Sequence, residues 1–252
     1  MNIRQIRNAT IILNYADKKF LIDPFLSKKG TYPPFPNTPN QDKFNPTIDL
    51  PIPVEEIIEV DIVIVTHLHP DHFDSAAIEI LPKNIRIIAQ SEKDVEVIKK
   101  EGFQNVESLA SALSIGGISL TRTSGKHGTG DIGKLMGEVS GVVFNHPDEK
   151  TLYIAGDTVW CSDVEDAIKH HNPEVIIVNG GAAQFLQGDP ITMTKEDIYQ
   201  TYMESQQSTI IVSHMEAVNH CLLTRQDLKA FIDEKGLSNN ILVPNDGESI
   251  TF

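Results

Sequence analysis

The run Ile62-Val63-Ile64-Val65-Thr66-His67-Leu68-His69-Pro70-Asp71-His72-Phe73-Asp74 is where the fold and the chemistry of this chain meet. Its first four residues are apolar and β-branched, the pattern of a short buried strand. Three histidines and two carboxylates then fall within eight residues, a density that packing does not explain. Neutral imidazole and carboxylate are the usual ligands of zinc and related divalent metals. At an extended strand end, residues two apart face the same way, so His67 and His69 can pinch one ion. Pro70 cannot continue a ladder, so the chain turns there and brings Asp71 and His72 in from another direction. One H-x-H-x-D-H run can therefore start two adjacent metal sites.

Upstream, Ile3 to Ile6, Ala9 to Tyr15 and Lys19 to Ile22 read as successive strands, with Asp17-Lys18 as a turn. Asp23-Pro24 closes this meander. Asp23 sits at a strand end, where α/β folds collect functional groups, though an Asp before Pro also simply starts turns. Residues 27–53 hold seven of the chain's 14 prolines, with Tyr32, Phe35 and Phe44 among them. Such a long irregular segment suits either a lid over a pocket or a loop lying on the surface.

Downstream, Asp74 is a plausible N-cap for a helix that runs to Pro82, and Val54 to Ile58 a short helical piece before the central strand. Capping-box-like starts at Ser91, Ser162, Thr194 and Thr224 each precede helical apolar spacing. Strands are expected at Ile85 to Ala89, Ile118 to Thr123, Val139 to Phe144, Leu152 to Ala155, Val175 to Val178, Ile210 to Val212 and Ile241 to Val243. Strands first, then alternating helix and strand, point to two sheets with helices outside, in one domain over residues 1–252.

A chain of 252 residues, 40% hydrophobic and 22% charged, can bury a sizeable core. Its net charge of -14 argues against nucleic acid or an anionic membrane as partner, but bound cations would change the field locally. Met1 to Arg7 lacks the apolar core of a signal peptide, no run approaches a membrane span, and two cysteines make no disulfide framework. A cytoplasmic protein with a small-molecule substrate is expected, and self-association into a homo-oligomer is left open.

If the leading cluster starts two sites, further ligands must come from elsewhere. Ser124-Gly125-Lys126-His127-Gly128 presents His127 on a glycine-rich loop after a strand; Gly156-Asp157-Thr158 and Ser213-His214 follow strands in the same way. Three strand ends delivering His, Asp and His would converge at one sheet edge. His146, before Pro147, and His170-His171, at a helix end, read as structural. His220 competes with His214 as a ligand, but His214 lies directly at the strand end; His220 suits a substrate contact or proton donor instead.

The set His67-Leu68-His69-Pro70-Asp71-His72, His127, Gly156-Asp157-Thr158 and His214 resembles the metallo-β-lactamase superfamily, in order over nearly the whole chain. Leu21-Ile22-Asp23-Pro24 and the later motifs resemble the branch with L-ascorbate-6-phosphate lactonase and N-acyl phosphatidylethanolamine phospholipase D. Gly180 to Phe185 and His214 to Cys221 resemble bacterial metal-dependent hydrolases of that branch. The resemblance implies a four-layer αββα sandwich with its site at one edge between the sheets.

It also implies two divalent ions, zinc first, with manganese or iron(II) also suited. One would take His67, His69 and His127 and the other Asp71, His72 and His214, with Asp157 bridging. Water activated by two such ions attacks a carbonyl or phosphorus centre. Asp71, Asp157 and His220 are then the catalytic candidates, and Asp23 the group orienting a ligand imidazole. Lys126, His220 and the backbone amides of Gly180 and Gly181 are candidates for the anionic part of a small metabolite, lactone ahead of phosphodiester. Phe73-Asp74-Ser75 stands where many members carry a Gly-Gly pair, so substrates of lactamase and thiolesterase members do not transfer. Two rival readings are a di-iron redox protein, expected to carry Glu at the position of His69, and a non-catalytic metal-binding protein, expected to have lost ligands.

Overall fold

Alternation along the central strands decides what each face meets. In β3 (Lys18–Ile22), Phe20 and Ile22 enter one core and Leu21 another; in β4 (Ile62–Val65), Ile62 and Ile64 part from Val63 and Val65 likewise. Strands apolar on both faces need cover on both, which places their sheet inside a sandwich.

The computed structural model describes residues 1–110 and 112–252. Among these, two seven-stranded sheets face each other. The first joins β1 (Asn2–Arg7), β2 (Thr10–Tyr15), β3, β4, β5 (Arg86–Ala89) and β6 (Asn105–Ser108), with β14 (Ser249–Thr251) beside β1. The second runs β7 (Ala112–Ile115), β8 (Ile118–Ser124), β9 (Ser140–His146), β10 (Glu149–Ile154), β11 (Val175–Asn179), β12 (Thr209–Ser213) and β13 (Ile241–Leu242). Each sheet begins as an antiparallel meander and continues as parallel strands, β3 to β6 and β10 to β13. Most of the parallel connections carry helices, because a parallel neighbour cannot be reached by a tight turn.

Helices α1 (Val54–Ile57), α2 (Ser75–Ile80) and α3 (Glu92–Lys100) cover the first sheet through Ile57, Ala77, Val95 and Ile98. The second is covered by α5 (Ser162–His171), α6 (Lys195–Glu204) and α7 (Arg225–Glu234), through Val164, Ile168, Ile198, Leu228 and Ile232. Between the sheets lies a third apolar layer that includes Phe20, Ile64, Leu120, Phe144, Ile154 and Ile177. This is the αββα sandwich, in a single domain. No helix among the described residues is long and apolar enough to cross a membrane.

The helix starts follow their caps. Asp74, Ser91, Thr194 and Thr224 each accept a bond from a backbone N–H three residues on, and Thr194 with Asp197 closes a full capping box. Ser162 does not cap α5; the helix begins one residue earlier, with Cys161 at the cap and no side-chain bond. Also unanticipated are β6, β7, β14 and α4 (Gly130–Met136), a helix that buries none of its residues. Residues 27–53 stay largely irregular outside a single bridge between Tyr32 and Asn45. They are pinned by buried Asn219, whose Oδ1 accepts from Phe35 N (3.1 Å) and Asn45 Nδ2 (3.0 Å), and whose Nδ2 donates to Thr38 Oγ1 (2.7 Å).

Candidate metal centre

Four strand ends open toward one edge of the sandwich, and each delivers one part of the centre. β4 leads to His67 and His69; the chain then turns, with His72 N donating to His69 O (2.9 Å), and enters α2. β8 leads to His127, β10 to Asp157 and β12 to His214. The last two need special backbone. Gly156 has φ +71, and a Cβ there would stand 2.5 Å from Ser140 O. His214 itself has φ +59, unusual for a non-glycine residue, and its N–H donates to Asn8 O (2.9 Å) in the β1–β2 turn. Room for that turn comes from Gly181, where a Cβ would lie 2.3 Å from His214 O and 2.5 Å from Cys221 Sγ.

The seven expected ligand side chains do come together. Three triads each have donor atoms within 4.8 Å of one another: His67, His69 and His127; His67, His72 and Asp157; and Asp71, His72 and His214. Asp157 Oδ2 lies amid four of the imidazoles, 3.2 Å from His72 Nε2, 3.4 Å from His127 Nε2, 3.6 Å from His214 Nε2 and 3.9 Å from His67 Nε2. His214 Nε2 is 3.2 Å from Asp71 Oδ2.

Behind these atoms a second layer fixes their orientation. Asp23, the strand-end carboxylate, accepts from Thr66 N (2.7 Å) and Thr66 Oγ1 (2.8 Å) and meets His72 Nδ1 at 2.9 Å. That contact puts the His72 proton on Nδ1 and leaves Nε2 free to face Asp157. His127 Nδ1 is likewise tied to Ile191 O (2.8 Å), and Asn179 Nδ2 donates to Asp157 Oδ1 (2.7 Å), leaving Oδ2 for the centre.

The donor set fits divalent cations. His67 Nε2 and His72 Nε2 are buried without a hydrogen bond of good geometry, lone pairs of the kind an ion satisfies. The charges say the same. Burial would raise the Asp71 and Asp157 carboxyls, yet His214 and His72 hold both well below the ordinary 3.8. Against its own burial His72 is pushed up to about 10, chiefly by Asp157 and Asp23, and His214 likewise well above 6.5 by Asp157 and Cys221. Imidazolium thus balances the buried carboxylates wherever a cation does not. Burial and the neighbouring His72 hold His67 down, and burial lowers His127, as suits neutral ligands.

Beside this cluster opens a cavity of about 390 Å³. Asp71, Asp157, His69 and His127 form its polar floor; Phe35, Leu135, Met136, Phe185 and Ile191 are its apolar walls, and His220 lines it as well. His220 is 7% exposed, packs edge-on against Phe35 with ring centres 4.9 Å apart, and leaves Nδ1 without a partner. Burial lowers its pKa to about 4, so the ring is neutral at physiological pH. Phe35 comes from the proline-rich segment, which is a wall held in place by Asn219. Two other expected groups stand apart from the cavity. Lys126 is exposed and not among its lining residues. Gly180 N–H donates to Ser213 O (2.9 Å), so the glycine pair serves close packing around the His214 turn. His146 and His170-His171 lie outside the centre, as expected of structural histidines. Asn8, Asn179 and Asn219 had not stood out, since a lone Asn in a turn or strand reads as ordinary.

A family model for the beta-lactamase superfamily domain matches residues 18–215. The chain is 55% identical to UPF0173 protein YddR of Bacillus subtilis (strain 168), over 100% of both chains. It is 28% identical to a UPF0173 metal-dependent hydrolase of Staphylococcus aureus (strain JH9), over 97% of this chain and 96% of that one. The crystal structure of isothiocyanate hydrolase from Delia radicum gut bacteria is similar at 43% identity and a TM-score of 0.97, over 100% of this chain and 99% of that one. The chain belongs to the metallo-β-lactamase superfamily.

Proposed function

We propose that this metal-dependent hydrolase acts on a small, neutral, apolar electrophile, an isothiocyanate before a lactone. The observation that carries the reading is the cavity wall: Phe35, Leu135, Met136, Phe185 and Ile191, with no Lys or Arg among the lining residues. An anionic metabolite or a phosphodiester would want a cation there beyond the metals, and Lys126 does not supply it. The similar isothiocyanate hydrolase lends support, because an isothiocyanate is an uncharged carbon electrophile on an apolar group.

In the proposed reaction, R–N=C=S and one water give R–NH2 and COS. The water oxygen bonds to the central carbon, the C–N bond breaks, and both water protons end on nitrogen. His67, His69 and His127 would hold one divalent ion and Asp71, His72 and His214 the other, with Asp157 shared; zinc leads, manganese or iron(II) next. Such ions supply hydroxide near neutral pH and stabilise charge developing at the reacting centre. Asp71 and Asp157, held well below 3.8, are poor proton acceptors and instead keep the cations and orient water by accepting hydrogen bonds. The apolar walls hold R and exclude bulk water. Neutral His220 carries one N–H, which donates to the substrate's nitrogen or sulfur as charge gathers there.

The test is a turnover panel on the metal-loaded protein: an arylalkyl isothiocyanate, a lactone with the same apolar group, and a phosphodiester of similar size. The isothiocyanate should be hydrolysed fastest and the phosphodiester slowest. Faster turnover of the phosphodiester would overturn the substrate reading.

A further inference from the structure

Asn8 occupies the turn between β1 and β2, is fully buried, and grips both protein ligands that follow Pro70 and β12. Its backbone O accepts from His214 N (2.9 Å) and Ser213 Oγ (2.8 Å). Its side-chain amide reaches the donor atoms themselves. Asn8 Nδ2 stands 3.0 Å from Asp71 Oδ2, 3.1 Å from Asp71 O and 3.2 Å from His214 Nε2. With the 3.2 Å between His214 Nε2 and Asp71 Oδ2, the amide tip and the two donor atoms form a nearly equilateral triangle.

That triangle has the size of one face of a coordination sphere. Two donors each about 2.1 Å from one ion lie about 3.0 Å apart at right angles and about 3.4 Å apart at the tetrahedral angle. An ion on Asp71 Oδ2 and His214 Nε2 would take the lone pairs that Asn8 Nδ2 now uses, and would face the positive end of an N–H group. Asn8 Oδ1, on the other side of the amide, is buried and has no hydrogen-bond partner among the described residues. Amide oxygen and nitrogen are nearly identical in shape, so a half-turn exchanges them without moving a neighbour.

We propose that Asn8 is a further ligand of the second ion, offering its side-chain carbonyl after that half-turn at the cost of the bond to Asp71 O. An added amide oxygen raises the coordination number at this site above that at the three-histidine site, and favours harder ions such as manganese there. The proposal rests on the two-ion reading above.

The experiment is a titration of the chelated full chain with Co2+, followed by visible absorption, in wild type, Asn8→Gly and Asn8→Asp. Glycine accepts the φ of +53 at this position and keeps the backbone contacts to His214 and Ser213. Wild type should bind two Co2+, the second with the weak absorption of a five- or six-coordinate ion. Asn8→Gly should bind the first unchanged and the second roughly tenfold or more weakly, the scale of loss when even an outer partner is removed. Its second-site band should also intensify as the coordination number falls, and Asn8→Asp should restore the weak band. A second-site band identical in wild type and Asn8→Gly, with or without lost affinity, would overturn the proposal and leave Asn8 as a donor to Asp71 alone. Binding of only one Co2+ by wild type would overturn the two-ion reading, and this ligand with it.

Discussion

Replacing Asp23 by Asn should weaken metal binding without touching a ligand. The wild-type carboxylate has three partners, Thr66 N at 2.7 Å, Thr66 Oγ1 at 2.8 Å and His72 Nδ1 at 2.9 Å, and is 1% exposed. Asn keeps one acceptor. If that oxygen stays on Thr66 N, the new NH2 faces Thr66 Oγ1 and His72 Nδ1. The hydroxyl can rotate and accept, but the imidazole can accept only by moving its proton to Nε2, the atom 3.2 Å from Asp157 Oδ2. A protonated Nε2 cannot bind an ion. The second ion should therefore bind about 10–100-fold more weakly, equivalent to about 1.4–2.7 kcal/mol. The metal-free protein should lose less, because Nε2–H can still donate to Asp157. Calorimetric titration of chelated wild type and Asp23→Asn with Zn2+ reads this directly. Equal affinity for the second ion in the two proteins would refute the claim that Asp23 sets the His72 tautomer.

Other expectations are these. Leu135→Asp, on the exposed side of the cavity, should lower kcat/KM for an arylalkyl isothiocyanate about tenfold or more while leaving metal content and melting temperature near wild type, since one apolar contact in a pocket is worth about 1–3 kcal/mol. Gly181→Ala should cost about 1–3 kcal/mol by overpacking against His214 O and Cys221, and should weaken metal binding through the displaced turn, read by melting with and without Zn2+. In the metal-free protein, stability owed to His72 is complete below pH 6.5 and is lost as pH rises through about 10. Stability owed to Asp71 and Asp157 is present above pH 3.8 and is lost as pH falls through their depressed values. Denaturant melts of chelated protein between pH 3 and pH 10 should trace both arms, the upper one flattening when Zn2+ is added.

The centre was legible because its ligands are residues that seldom gather without reason, each placed where an apolar run meets a turn signal. His67 to His72, His127, Asp157 and His214 all satisfy that rule, and strand alternation around them announces a sandwich. What stayed hidden works through geometry alone. Asn8, Asn179 and Asn219 act by where their amides point, and nothing in an isolated asparagine states that. Helix α4 carries Gly130 and Gly133 and buries no apolar face, so no periodic signal marks it. In β6 only Val106 is buried, too little alternation to read as a strand. The apolar lining of the cavity stayed hidden for a related reason. Lys126 is two residues from Gly128 and next to His127, but adjacency in sequence did not bring its side chain to the cavity, whereas Phe35, Leu135 and Phe185 arrive from three distant segments. Gly180 and Gly181, expected to bind an anion, are glycines because Val212, Cys221 and His214 leave no room for a Cβ.

The most direct measurement is to strip the protein with a chelator and return Zn2+ stepwise while following hydrolysis of an arylalkyl isothiocyanate. Activity should be absent at the start and should reach its plateau only near two Zn2+ per chain. Full turnover by the stripped protein, or a plateau at one equivalent, would contradict the shared two-ion centre.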